Sequence, residues 1–182
     1  MLPAFPLEGE TVVKHLLLLR HAKSAWPEGI EDHERPLSER GRRDAPRMGS
    51  YIASGGFGPD FTLVSSARRT QETWALVSPA LATPCPSRTV ASIYEAEPAA
   101  ILSAIQQAPA QCDTLLVIGH NPGFEAVAAL LAPQGESEAL ARMTAKYPTA
   151  GLAVITFGIA TWANIAPGMG WLESFITPKT LP

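Results

Sequence analysis

From Val12 to Leu19 the sequence reads Val-Val-Lys-His-Leu-Leu-Leu-Leu and then passes at once into Arg20 and His21. The leucine run, Leu16 to Leu19, has no polar interruption, the pattern of a strand buried on both faces. Such a strand needs a helical layer above it and another below, which directs the chain to the α/β class. In open α/β sheets ligands bind beyond the carboxyl ends of the strands, so chemistry is expected to begin where the apolar run stops. Taken alone, Arg20 and His21 are equally compatible with an ordinary strand end at the surface.

The same construction recurs downstream. Phe61 to Ser65 is a short strand that delivers Ser65-Ser66-Ala67-Arg68-Arg69-Thr70 to its end, where a helix through Trp74, Leu76 and Val77 starts. Thr114 to Ile118 is another, ending in Gly119-His120-Asn121-Pro122-Gly123 ahead of an apolar helix from Phe124 to Leu131. After the first strand, Ala22 to Pro36 forms a polar loop longer than an ordinary connection, with Trp26, Asp32, His33, Glu34 and Arg35 in it. Ser38 reads as the N-cap of a helix through Arg42, Ala45, Met48 and Ile52 that stops at Gly55-Gly56. Pro46 removes one of its backbone hydrogen bonds, so a kink or break is expected near Asp44.

A further strand is expected over Thr89 to Ile93, then a helix opening at Tyr94 to Pro98 and running through Ile101, Leu102 and Ile105. A short helix through Leu140 and Met143 follows, and Leu152 to Phe157, Trp162 to Ile165 and Trp171 to Ile176 read as short strands near a sheet edge. Strands alternating with helices predict a single α/β domain over residues 1–182, a three-layer α/β/α sandwich whose central sheet is mostly parallel with an antiparallel edge. Residues 1–11 are expected to be a loose N-terminal extension.

The net charge of −3 argues against nucleic acid as the main partner, and any anion site must be a local cluster of positive groups. Although 46% of the residues are apolar, no run approaches the roughly eighteen needed to cross a bilayer, and no membrane segment is expected. Met1 to Glu10 lacks Lys and Arg and does not resemble a secretory signal, so the expected location is cytoplasmic. Cys85 and Cys112 lie outside any CxxC spacing and read as buried or idle thiols.

Arg20-His21, Arg69 and His120 therefore stand at three strand ends. A transferring phosphoryl group spreads negative charge over three equatorial oxygens and requires cationic donors around it and a nucleophile in line. Two guanidiniums and two imidazoles meet that requirement, since arginine stays charged at any working pH and a neutral imidazole can attack and later leave as a phosphohistidine. No metal or other cofactor is then needed. A zinc site at His21 and His120 is disfavoured, because no carboxylate or thiolate stands at ligand spacing to either.

Leu19-Arg20-His21-Ala22, the segment Val64 to Thr73, and Val117-Ile118-Gly119-His120-Asn121-Pro122 resemble, in that order and spacing, the three signature blocks of the histidine phosphatase (phosphoglycerate-mutase-like) superfamily. Together with Arg35 to Gly41 and Tyr147-Pro148-Thr149-Ala150, the short chain most resembles the phosphohistidine phosphatase SixA branch, over about Lys14 to Thr177. The resemblance implies a phosphoglycerate-mutase-like fold and a metal-independent phosphatase. It makes His21 the nucleophile, with Arg20, Arg69 and His120 holding the phosphoryl oxygens. Arg69, directly before Thr70, matches the family arginine; Arg68 is left as a solvated helix residue.

Two departures stand out. Ala22 replaces the usual glycine, which would be strained only at positive φ. Asn121 follows His120 where the acid phosphatase and phytase branch has its proton donor, and the inserted acidic segment of the mutases is missing. Glu95 is the leading candidate donor, with Asp32 and Glu34 behind it; His33 reads as a loop residue and His15 as packed or at an edge. An alkoxide needs a proton in order to leave, whereas the imidazole of a phosphohistidine departs easily, so the weak acid favours P–N bonds.

The expected activity is hydrolysis of a phosphate monoester or phosphoramidate through a phosphohistidine on the enzyme. The expected partner is a phosphorylated substrate, above all a phosphohistidine-bearing signalling protein. The alternatives are a small-metabolite phosphatase or mutase, or a noncatalytic phosphate-binding module on the same fold. The first would need further basic residues and a visible acid; the second would have no use for a nucleophile. Whether Arg35 and the Ala22 to Pro36 loop contact substrate is left open by the sequence.

Overall fold

Leu16 to Leu19 are all fully buried, and they turn alternately to two separate cores. Leu16 and Leu18 join one cluster, Leu17 and Leu19 the other, as the two-residue period of a strand demands. Each such burial stabilises the fold by about 1.5–3 kcal/mol relative to exposure. The structure, a computed structural model, describes residues 12–181. The extension expected over residues 1–11 lies outside the described residues.

The chain runs β1 (Val13–Arg20), α1 (Glu39–Ser54), β2 (Phe61–Ser65), α2 (Arg68–Val77), β3 (Ser87–Val90), α3 (Pro98–Gln106), β4 (Thr114–Gly119), α4 (Gly123–Leu131), β5 (Gln134–Gly135), α5 (Ser137–Ala145), β6 (Leu152–Gly158) and β7 (Trp171–Ile176). The strands form one seven-stranded sheet in the order β3-β2-β4-β1-β6-β7-β5. β1 pairs in parallel with β4, and β2 in parallel with both β4 and β3. β6 is antiparallel to β1 and β7. The antiparallel strand thus lies inside that half of the sheet, and the rim is the two-residue β5, which was not expected from sequence. α1 and α2 supply Ala45, Met48, Ile52 and Val77 to one core; α3, α4 and α5 supply Ile101, Ile105, Phe124, Val127 and Met143 to the other. The result is the three-layer sandwich.

α1 begins as expected, with the Ser38 hydroxyl accepting from the Gly41 N–H, and is capped at Gly55. It runs without a break through Pro46. The carbonyl that loses its partner belongs to Arg42, which is exposed, so water can replace the bond while Ala45, Met48 and Ile52 stay buried. β3 is shifted to Ser87–Val90, and Ala91–Ile93 makes a single 3-10 turn that buries Ile93. Trp162–Asn164 is also a 3-10 turn, not a strand. Trp162 is fully buried and its indole N–H donates to the Cys112 carbonyl at 2.7 Å, a bond that fixes the turn against the residues before β4. His15 is half-buried within β1, and Cys85 and Cys112 are free thiols. Among the described residues no helix is long and apolar enough to cross a membrane.

Candidate active site

Because β1, β2 and β4 are parallel neighbours, their carboxyl ends open on one side of the sheet. The register sets Arg20 beside Gly119, and the His21 N–H donates to the Gly119 carbonyl at 3.0 Å. On the other flank of β1, the Arg20 N–H donates to the Gly151 carbonyl at 3.0 Å, while the Ala150 N–H donates back to the carbonyls of Arg20 and His21. Arg69 enters from the first turn of α2, and His120 follows directly after β4. All four side chains line one cavity of about 240 Å³, and the two imidazole centroids are 5.3 Å apart.

His21 is locked in one tautomer. Its Nδ1 lies 2.8 Å from the Ala22 carbonyl, which can only accept, so Nδ1 carries the proton and Nε2 keeps its lone pair. Burial, reinforced by the positive charges of Arg69, Arg20 and Arg35, outweighs the Ala22 carbonyl and brings the imidazole pKa down to about 3. Ala22 itself is fully buried, donates its N–H to the Thr73 hydroxyl at 3.0 Å, and does not adopt the left-handed conformation that alone would strain it. His120 likewise falls to about 3, first through burial and then through His21 and Arg69. Its Nε2 shares a hydrogen bond with the Ser65 hydroxyl at 2.8 Å, and its Nδ1 is buried without a partner among the described residues.

The guanidiniums are held from behind. Arg20 donates from Nη1 to the Tyr147 carbonyl at 2.7 Å, and Arg69 donates to the Asp32 carbonyl at 2.6 Å and to its carboxylate at 2.9 Å. In both arginines Nε is buried and unpaired among the described residues. Three residues of the cavity thus retain an unsatisfied buried nitrogen, which a polar ligand would complete.

The long loop is folded down onto this cluster. A bridge between Ser24 and Leu37 closes it, and the Lys23 carbonyl accepts from both the N–H and the hydroxyl of Ser38. Asp32, in a 3-10 turn, is its centre: the carboxylate accepts from Arg35 at 2.7 Å, Arg69 at 2.9 Å and the Tyr94 hydroxyl at 2.7 Å. Burial pulls its carboxyl upward, but the bonds from Tyr94 and Arg35 and the Arg69 charge prevail and hold it well below the usual carboxylate range. Asp32 is therefore a fixed anion, not a proton donor. Arg35, 6% exposed, spends its donors on the Ala25 carbonyl, the Ser24 hydroxyl and Asp32, and lines the cavity as a fixed charge.

Glu95 does line the cavity, with its carboxylate 3.8 Å from Arg69 and its backbone at φ 44°, a conformation costly for a non-glycine residue. Glu34 is paired with His33 at 2.8 Å and does not line the cavity. Arg68 is half-exposed and bound to Glu72, away from the site. Sequence reasoning missed Asp32 as a clamp, Tyr94, Ser65, Asn121 and Thr149. Of these only Ser65, Asn121 and Thr149 carried a signal, through the motif segments that contain them.

Residues 16–97 match the model of the histidine phosphatase superfamily, branch 1. The uncharacterized protein Rv1276c of Mycobacterium tuberculosis strain H37Rv is 37% identical over 163 residues, covering 88% of this chain and 100% of that protein. The chain belongs to the histidine phosphatase superfamily. As a histidine phosphatase it is a hydrolase acting on phosphoryl groups by way of a phosphohistidine intermediate. Its phosphoglycerate-mutase-like fold is shared with the structure assigned as phosphohistidine phosphatase SixA from Nakamurella multipartitia, at TM-score 0.79 and 26% identity over 91% of this chain and 96% of that one. A second histidine phosphatase structure, assigned as SixA from Agrobacterium tumefaciens, superposes at TM-score 0.74 with 29% identity over 91% and 99% of the two chains.

Proposed function

We propose that the protein is a SixA-like protein phosphohistidine phosphatase in which His21 is the nucleophile. The observation that carries this reading is the Nδ1–H to Ala22 bond, because it leaves the neutral Nε2 of a buried imidazole as the free nitrogen of that ring. In the first step the Nε2 lone pair forms a bond to phosphorus as the bond from phosphorus to the leaving nitrogen breaks. Arg20 and Arg69 neutralise the three equatorial oxygens. In this reading the Ser65 hydroxyl, 2.8 Å from Nε2 of His120, donates to that nitrogen, so that the ring proton is on Nδ1 and supplies a further donor. The leaving imidazole takes a proton from water or from Glu95, whose carboxylate borders the cavity and is not otherwise clamped. In the second step water attacks the phosphorus, inorganic phosphate departs, and His21 regains its lone pair.

A protein-borne phosphohistidine suits the site for two reasons. Its leaving group makes little demand on a general acid, and among the described residues the only basic ones in the cavity beyond the phosphoryl cluster are Lys23 and the committed Arg35. A second anionic group of a small metabolite would find few partners. The proposed partner is a cytoplasmic signalling protein that displays the phosphorylated imidazole on its surface. Rapid quenching into alkali after mixing with ³²P-labelled phosphohistidine protein should trap label on His21, and His21→Ala should trap none. Label on another residue, or turnover undiminished in that variant, would refute the assignment.

A further inference from the structure

The geometry points to Trp26 as the residue that selects substrates whose leaving group is a flat ring, an inference that rests on the phosphatase reading above. Trp26 is 74% exposed, the most exposed large hydrophobic side chain described, whereas Trp162 is fully buried and Trp74 and Trp171 are half-buried. Leaving an indole in water is unfavourable, and this one stands at the wall of the cavity that holds His21. It is not loosely placed. The guanidinium of Arg35 lies 3.1 Å from the ring centroid, and Arg35 is itself buried and tied to Ser24, Ala25 and Asp32. One face of the indole is therefore seated on a fixed cation, and the remainder is open to solvent.

A rigid aromatic surface beside a phosphoryl site has a specific use. In a phosphohistidine the imidazole is bonded directly to phosphorus, so a ring lies one bond from the reacting atom and at the cavity wall as it departs. Offset or edge-on packing of that ring against Trp26 costs little ordering, because the loop is already held by the Ser24 to Leu37 bridge and by Ser38 on the Lys23 carbonyl. A leaving group without a ring gains nothing there. Trp26 touches the leaving group and not the transferred phosphoryl, which makes it a specificity residue.

The test compares wild type, Trp26→Leu and Trp26→Phe on phosphohistidine and p-nitrophenyl phosphate, which carry rings, and on acetyl phosphate, which has an activated leaving group without one. Trp26→Leu should lower kcat/KM for the two ring substrates by about 3- to 10-fold, the worth of one aromatic pair, and change acetyl phosphate less than about twofold. Trp26→Phe should recover most of the loss. In the His21→Ala background, phosphoimidazole should quench an indole emission that Trp26→Phe removes. Equal losses on all three substrates, or Phe behaving as Leu does, would overturn the role of Trp26 while leaving the phosphatase intact. Absence of both turnover and trapped label in wild type would overturn the reading of His21 and this inference with it.

Discussion

Asp32 holds Arg69 at two points, through its backbone carbonyl at 2.6 Å and its carboxylate at 2.9 Å, and the same carboxylate binds Arg35 and the Tyr94 hydroxyl. One acid in the long loop thereby sets the position of a guanidinium that arrives from a different strand end. Asp32→Ala should lower kcat/KM on the order of 10- to 100-fold, the range expected when a transition-state donor is misplaced by about an ångström. Asp32→Asn, which can still accept from Arg69, should lose less. A loss carried wholly by KM would show that Asp32 supports the ground state and the transition state equally and does not act on the chemical step.

Arg69→Ala removes the donor itself and should cost on the order of 100-fold or more in kcat. Arg68→Ala, one residue away but paired with Glu72 on the exposed side of α2, should change kcat/KM less than about twofold. Steady-state kinetics on p-nitrophenyl phosphate separates the two. Comparable losses would mean that the assignment of the arginines is reversed.

Ser65→Ala removes the hydroxyl that bonds Nε2 of His120 and releases the constraint on that ring's proton. A loss of roughly 10-fold in kcat is expected, with the melting temperature changed by only a few degrees, as for one buried hydrogen bond of about 1 kcal/mol. NMR of ring-¹⁵N histidine should show the tautomer of His120 shifting in the variant. An unchanged spectrum would break the link between Ser65 and the proton on Nδ1.

The two depressed histidines make acid destabilising in a defined window. An imidazole whose pKa is about 3 when folded and near the ordinary 6.5 when unfolded binds more protons in the unfolded chain between those values. Stability is therefore full above about pH 6.5 and falls as the pH is lowered toward 3, by up to roughly 1.4 kcal/mol per pH unit for each proton involved. His21→Asn should flatten the decline of the urea midpoint between pH 6.5 and 4. In the wild type, kcat/KM should show no inflection near 6.5 that belongs to His21, once the titration of the substrate is allowed for.

Gly41 joins the stability of α1 to the geometry of the site. A Cβ there would collide with the Lys23 carbonyl oxygen, the same atom that anchors Ser38. Gly41→Ala must push the loop away from the helix, at about 1–3 kcal/mol of stability by analogy with overpacking. Thermal unfolding and kcat should fall together, since Ser24, Trp26 and Arg35 follow in the same loop. A loss of stability with unchanged kcat would show that the loop relaxes without moving them.

The parts of the fold that were legible in the sequence are those with a period or a cap: the leucines of β1, the Ser38 to Gly55 helix, and the strand ends carrying Arg20, Arg69 and His120. The site residues at those ends were legible because sheet topology, more than local sequence, brings them together. The clamp role of Asp32, which the sequence offers only as a candidate donor, was not, because a single acid in a polar loop has no periodicity, and the role appears only when Arg69 and Tyr94 arrive from 37 and 62 residues away. The aromatic and β-branched residues around Trp162 suit a strand, yet Trp162–Asn164 is a turn. The turn carries a buried indole bond to the Cys112 carbonyl, a partner 50 residues away that no local pattern announces. Pro46 does not break α1, because the residue whose carbonyl loses its partner, Arg42, is exposed and open to water.

The alternation of Leu16 to Leu19 between two cores has a consequence for the fidelity of the enzyme. Slipping β1 by one residue against β4 and β6 would exchange the leucines between hydrophobic layers of different shape, and would also carry Arg20 and His21 roughly 3.3 Å along the strand, out of step with Gly119 and Gly151. A misregistered chain would therefore be both poorly packed and chemically inert. Quality control that removes loosely folded molecules would remove the defective catalysts in the same stroke.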